Sequence, residues 1–218
     1  MLPEGRRLAG AIGYLMLPPV PSDRVAAPYV RSARSIVSAL DKQGTCGWVI
    51  DMRSNSGGDM WGPLAAVGPI LGDGTVGAAV YADGEKSPWA IENGTPRQYM
   101  DEWGPAASLA RPTPPVAVLT SRRTASAAEA VTIAFQGRSN TRTFGQPTAG
   151  VPTANAPYQL SDGALVVLTV AREADRNGRL YNGPIAPDVK IPDTQGHDQV
   201  LTTAMDWLRA QGDCHKAF

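Results

Sequence analysis

Groups that act as a base near neutral pH are scarce in this chain of 218 residues. Only four of its 20 basic residues are lysine (Lys42, Lys86, Lys190 and Lys216), and only His197 and His215 are histidine. An excess of charge of either sign is also lacking: 20 Lys plus Arg balance 20 Asp plus Glu. Nucleic-acid binding by a basic field and membrane-surface binding by a polybasic face are therefore disfavoured. Cysteine occurs twice. Cys46 lies in an apolar strand-like run and Cys214 in a polar tail, in no spacing of a disulfide framework or metal knuckle, so they read as a buried and an exposed thiol. With the two histidines isolated, no metal ligand set assembles from local spacing, and no cofactor is expected.

Long apolar runs are absent as well. Arg6-Arg7 followed by Leu8 to Leu17 imitates a signal segment, even a twin-arginine one, but the run is too short for a membrane span. Gly10 and Gly13 break it and Pro18-Pro19 end it. The alternation over Ile12 to Leu17 suits a buried strand, and the default expectation is a cytoplasmic protein. Glycine and proline, by contrast, are plentiful at 42 of 218 residues. That share predicts a turn-rich chain, and the length suffices for one well-filled domain over 1–218.

Residues 10–17 read as a strand. Val25, Tyr29, Ala33, Ile36, Val37 and Leu40 recur at helical spacing after Ser22, a good N-cap, and Gly44 closes that segment. Cys46 to Asp51 is a continuous apolar run before a glycine-containing loop, as in a buried parallel strand. A short, imperfect helix over Met60 to Leu71 and a strand over Val76 to Tyr81 follow. The stretch 82–112 has no clear period and reads as a lid or specificity insertion. Pro115 to Thr120 is a strand, Ser126 to Gln136 a helix, and Thr141 to Gly145 a short strand. Asp162-Gly163 between Tyr158 to Leu160 and Leu165 to Val170 marks a hairpin, Asn177-Gly178 a second turn, and His197 to Gln211 a terminal amphipathic helix. Alternating strands and helices predict an α/β fold. Gly72-Asp73-Gly74-Thr75-Val76-Gly77 fits G-x-G-x-x-G, but a helix precedes it and a strand follows, the reverse of a dinucleotide site.

Two segments carry chemistry. In Asp51-Met52-Arg53-Ser54-Asn55-Ser56-Gly57-Gly58, consecutive glycines leave backbone N–H groups able to approach a ligand, as an oxyanion hole requires, although a tight turn explains them too. In Thr124-Ala125-Ser126-Ala127-Ala128-Glu129, Ser126 and Glu129 have the spacing of a capping box. The same serine at a helix N-terminus sits where free N–H groups and the helix dipole favour an oxyanion. Residue chemistry alone leaves both readings standing.

Taken in order, D-x-R-x-N-x-G-G (51–58), T-A-S-A-x-E (124–129), Phe144-Gly145-x-Pro147-Thr148-x-Gly150, Leu160-x-Asp162-Gly163 and Pro187-Asp188-Val189 resemble the C-terminal-processing (tail-specific) peptidases and the related tricorn-core serine peptidases. The resemblance covers about residues 10–192, the catalytic core without a PDZ domain. It implies a ClpP- and crotonase-like spiral of ββα units. It also implies Ser126 as nucleophile, an oxyanion hole from the amides of Ala127 and of Gly57 or Gly58, and acyl transfer from a peptide, amide or ester to water. The family's lysine and glutamine fall at Val151 and Asn155, its tricorn-branch histidine at Met16, and that branch's glutamate at Tyr181. Both familiar bases are thus replaced, leaving Glu129 and Asn155 as candidate base or orienting groups, and Tyr181 and His197 as more distant ones. Alternatives are a pseudo-peptidase that binds a peptide or partner in the same cleft, and an esterase or acyl-transfer enzyme acting on a small metabolite. Oligomeric state is not encoded in any of these features.

Overall fold

A computed structural model describes residues 1–22, 25–192 and 197–215. Its centre is a sheet in the order β1-β2-β3-β7-β8-β12. These strands are β1 (Glu4–Leu8), β2 (Ile12–Met16), β3 (Gly47–Asp51), β7 (Val116–Thr120), β8 (Thr141–Gly145) and β12 (Val189–Lys190). Strands β2, β3, β7, β8 and β12 run parallel, and β1 is antiparallel to β2. β3 and β7 are buried at every residue, which is why they read as unbroken apolar runs rather than alternating ones.

The two faces of that sheet fill different cores. Trp48, Ile50, Val116 and Val118 point toward α1 (Ala26–Asp41), α2 (Trp61–Leu71) and α4 (Ala127–Phe135). Val49, Ala117 and Leu119, one residue out of phase, meet Ala204 and Leu208 of α5 (Gln199–Arg209). A second, antiparallel sheet has the order β11-β10-β4-β5-β6, with β9 paired to β10. Its members are β4 (Gly74–Tyr81), β5 (Lys86–Glu92), β6 (Thr95–Pro96), β9 (Thr153–Gln159), β10 (Leu165–Asp175) and β11 (Leu180–Tyr181). α4 packs on β4 and β10, so it lies between the two sheets.

Several expectations need correction. Helix α1 starts at Ala26 with Val25 at its N-cap and no side-chain cap, three residues beyond the expected Ser22; residues 23 and 24 of that segment lie outside the described ones. The stretch 82–112, which shows no clear period in the sequence, carries regular elements. It supplies β5 and β6, a 3₁₀ turn at Arg97–Tyr99 and α3 (Met100–Trp103). Its order comes from Trp89 and Ile91, both buried in the main core, and from the stacking of Tyr99 on Trp103 at 4.3 Å. Arg34 clamps the far end through Trp103 O at 2.7 Å. Arg6-Arg7 belongs to β1, where the Arg6 guanidinium lies 4.2 Å from the centre of the Tyr14 ring.

The cysteines are the largest departure. Cys46 and Cys214 are joined in a disulfide across a sequence separation of 168, tying the start of β3 to α6 (Gly212–His215). Sequence spacing gave no sign of it because the two meet only after the whole sheet is assembled. Closing so long a loop restricts the unfolded chain strongly. Replacing both cysteines by serine is expected to cost about 2–5 kcal/mol of stability. Denaturant unfolding of the variant beside the parent checks this, and coincident transitions would contradict a stabilising crosslink.

Candidate active site

The site lies at the carboxyl ends of β3 and β7, neighbouring parallel strands whose following loops must approach each other. Hydrogen bonds fasten those loops. The Thr124 hydroxyl donates to Met52 O at 3.0 Å, the Ser121 hydroxyl to Arg53 O at 2.6 Å, and Ala125 N–H to Asn55 O at 3.1 Å. Asn55, 1% exposed, reaches the end of β2 as well: its amide donates to Leu17 O at 3.1 Å and Pro18 O at 3.2 Å, while its Oδ1 accepts from Gly57 N–H at 2.9 Å. Asp51 anchors the loop start by accepting from the Tyr14 hydroxyl at 2.7 Å and from Arg53, which also grips Asp198 of the α5 N-cap. Burial beside Asp51 raises the Tyr14 phenol well above its ordinary range, so it serves as a donor.

Ser126 occupies the turn between this assembly and α4. Its backbone has φ 53° and ψ −118°, a conformation L-residues rarely adopt and one worth on the order of 1–3 kcal/mol of local strain. Such strain persists only where neighbours over-determine the geometry. Here Ser126 and Glu129 form the expected capping box. Glu129 Oε2 accepts from Ser126 N–H at 2.8 Å, and Ser126 O accepts from Glu129 N–H at 2.7 Å.

Glu129 is fully buried and does more than cap. Its Oε2 also accepts from Val151 N–H at 2.9 Å, and its Oε1 from Gly150 N–H at 2.9 Å and from the Thr148 hydroxyl. Thr148 Oγ1 in turn accepts from Ile185 N–H at 2.8 Å. At the other end of the same segment, Asp188 holds Thr143 through both its N–H and its hydroxyl, each at 2.8 Å. The 51–58, 124–129, 144–150 and 187–189 motifs are therefore one hydrogen-bonded unit, which explains why they occur together.

The oxyanion candidates separate on inspection. Gly57 packs against Ser126, so that a Cβ there would lie 3.0 Å from Ser126 Cβ, but its N–H is committed to Asn55. Among the described residues, the N–H groups of Gly58 and Ala127 have no hydrogen-bond acceptor. Gly58 has φ 108°, and a Cβ on it would fall 1.9 Å from Val20 O, the acceptor of Asp59 N–H at 2.7 Å. Gly58→Ala must displace this loop and is expected to lower turnover by about 10²-fold, the scale of losing one oxyanion donor. Measuring kcat for this variant tests the assignment, and unchanged turnover would remove Gly58 from the site.

The remaining candidates lie elsewhere. Asn155 sits on β9, where its Oδ1 accepts from the Thr169 hydroxyl across the hairpin at 3.0 Å; no hydrogen bond joins it to Ser126. Val151 holds Glu129 by its N–H and leaves its side chain half exposed. Met16, at the end of β2, has Ser54 Oγ 3.9 Å from its sulfur. The Tyr181 hydroxyl donates to Asp175 at 3.0 Å, and burial raises its phenol far above the usual range. His197 is exposed beside Thr202. Among the described residues, no lysine or histidine hydrogen-bonds to the Ser126 hydroxyl. Reading from sequence assigned no role to Asn55, Thr124 or Thr148, although all three stand inside the quoted motifs. It missed Glu173 altogether, a buried carboxyl on β10 outside every motif.

A serine in a strained strand-to-helix turn, beside unpaired amides at the ends of parallel strands, is an arrangement suited to acyl chemistry. Residues 11–191 match the sequence profile of peptidase family S41, and the chain belongs to that family. It is 28% identical over 195 residues to the nisin-resistance protein of Lactococcus lactis subsp. lactis, covering 87% of this chain and 57% of that protein. It is 29% identical over 161 residues to the carboxy-terminal processing protease CtpA of Bacillus subtilis (strain 168), covering 72% of this chain and 31% of that one. Among solved structures, a lipoprotein from Streptococcus agalactiae superposes with a TM-score of 0.80 at 28% identity, over 96% of this chain and 70% of that chain. The mixed α/β architecture is thus shared with its relatives, although this chain spans little more than half the length of the first curated relative and a third of the second.

Proposed function

We propose that the chain is a serine hydrolase that cleaves a peptide, amide or ester bond through an acyl-enzyme on Ser126. The observation that carries this reading is the Ser126 turn, held at positive φ at the N-terminus of α4 with the Ala127 and Gly58 amides unpaired beside it. The serine oxygen attacks the acyl carbon, and the carbonyl oxygen that becomes an anion is met by those N–H groups and the positive end of the helix. The acyl–leaving-group bond breaks, the leaving group departs with the proton given up by the serine hydroxyl, and the ester left on Ser126 is cleaved by water to a carboxylic acid and the free serine. Peptide substrates fit the processing-protease relatives best. In this reading the two sheets and their helices correspond to a ClpP- and crotonase-like spiral.

Glu129 holds the turn rather than taking the serine proton, because its carboxylate oxygens already accept four hydrogen bonds. The general base is then a non-standard one. That feature favours a second reading, a pseudo-peptidase that retains the cleft for binding. Fluorophosphonate labelling separates the two: a folded protein that is labelled at Ser126 is a hydrolase, and one that resists labelling is not. The Cys46–Cys214 bond favours an oxidising compartment over the cytoplasm.

A further inference from the structure

We infer that Glu173 is a positioning residue for the Ser126 turn: neutral and buried on the strand against which α4 packs, it leaves the turn in place, and its ionisation releases the turn. This rests on the proposed role of Ser126. Glu173 stands on β10, opposite Ala79 of β4 and Tyr181 of β11, in the part of the second sheet against which α4 packs. It is 3% exposed, and its buried Oε2 has no hydrogen-bond partner among the described residues.

The proton can be placed from the donors. Every group that meets Glu129 is a donor, three N–H and one hydroxyl, so Glu129 is the anion. Among the described residues no donor meets Glu173 Oε2, and the carboxyl is raised to about 8, first by burial and then by repulsion from Glu129. Most of the other polar and charged groups on the elements packed around it have partners of their own. On β10 and in the turn beyond it, Asp175 accepts from the Tyr181 hydroxyl and from Asn177 and Arg179 N–H, and Arg176 donates to Ala134 O of α4 through one terminal nitrogen, while its buried Nε has no partner among the described residues. Arg172 points away from the core, and Arg179 lies over the Tyr181 ring. On α4 itself, Thr132 donates to Ala128 O. No ion pair reaches Glu173 among the described residues. Loss of the Glu173 proton to solvent therefore sets two buried, like charges against each other, and any shift of Glu129 that relieves them carries the Ser126, Gly150 and Val151 amides with it.

Two measurements on the full chain test this separately from the hydrolase reading. In the first, fluorophosphonate labelling rates of the parent and of Glu173→Gln are compared from pH 6 to 9.5. The ratio of parent to variant is expected to stay level below pH 7 and to fall about tenfold or more by pH 9.5, centred near 8. A ratio that does not change with pH overturns the inference. If neither protein is labelled at any pH, the hydrolase reading fails and the second measurement decides for Glu173.

In the second, unfolding is followed against pH. Glu173 keeps its proton in the folded chain up to about 8 but loses it near 4.5 when unfolded. The parent's folded-to-unfolded ratio should then fall against that of Glu173→Gln by about tenfold per pH unit between those values and hold constant above them. A gap independent of pH overturns the inference. If Glu173→Gln does not fold, infrared titration of the parent alone decides: a protonated carboxyl present at pH 7 and lost near 8 supports it, and the absence of that band overturns it.

Discussion

Ser126→Ala is expected to abolish fluorophosphonate labelling and to lower hydrolysis by about 10⁴-fold or more, while leaving the protein folded at a cost of about 0.5–2 kcal/mol, the loss of one side-chain cap. The size follows from the chemistry: without the oxygen no acyl-enzyme forms, and only the weak effect of binding and oxyanion stabilisation on direct attack by water remains. The modest stability cost follows from the structure. Alanine loses the side-chain half of the capping box, but Ser126 is also held by its backbone, through Glu129 Oε2 and through its own carbonyl, and alanine keeps both of those groups. The two results together are diagnostic. Lost labelling in a folded protein assigns the nucleophile, whereas labelling that survives in Ser126→Ala moves the reactive group elsewhere. Peptide and small-ester substrates assayed side by side then define the leaving group.

Elements whose signal is local were legible in the sequence. β3 and β7 announced themselves as continuous apolar runs because both their faces are covered, and α4 by its cap and its closing glycine. The β9–β10 hairpin followed from Asp162-Gly163. What could not be read was long-range. The disulfide joins positions 168 apart, and β5 and β6 owe their order to Trp89 and Ile91 meeting residues of other elements. The site divides in the same way. Ser126, Ala127 and the glycine pair stood out because their chemistry is compressed into short motifs. The pairing of Gly57 N–H with Asn55, which leaves Gly58 as the free donor, depends on a side-chain orientation that spacing does not encode. Glu173 was invisible because its meaning lies in a buried oxygen without a partner among the described residues.

Glu129→Ala is expected to damage both stability and activity, with the largest stability loss of the single changes at the turn. It strips the acceptor from the N–H groups of Ser126, Gly150 and Val151 and from the Thr148 hydroxyl, all in a site closed to water at Glu129 itself. Leaving even one such donor unmade costs about 1–3 kcal/mol, and the loss for the set is expected at about 3–5 kcal/mol after relaxation. Glu129→Gln is the more instructive companion. Its oxygen can serve one side of the old carboxylate, but its NH₂ must face donors on the other. Facing Ser126 and Val151 it opposes two N–H groups; facing Thr148 and Gly150 it opposes one, and Thr148 Oγ1 is already accepting from Ile185. Glutamine is therefore expected to settle in the second orientation, keep the Ser126 bond, and lose about 1–3 kcal/mol. If Glu129 acts by holding the turn, Glu129→Gln retains measurable labelling of Ser126 while Glu129→Ala loses it. If Glu129 were instead the base that takes the serine proton, both variants would lose labelling alike, because neither side chain can accept that proton. Labelling rates of the two variants, set beside their unfolding midpoints, decide between these roles.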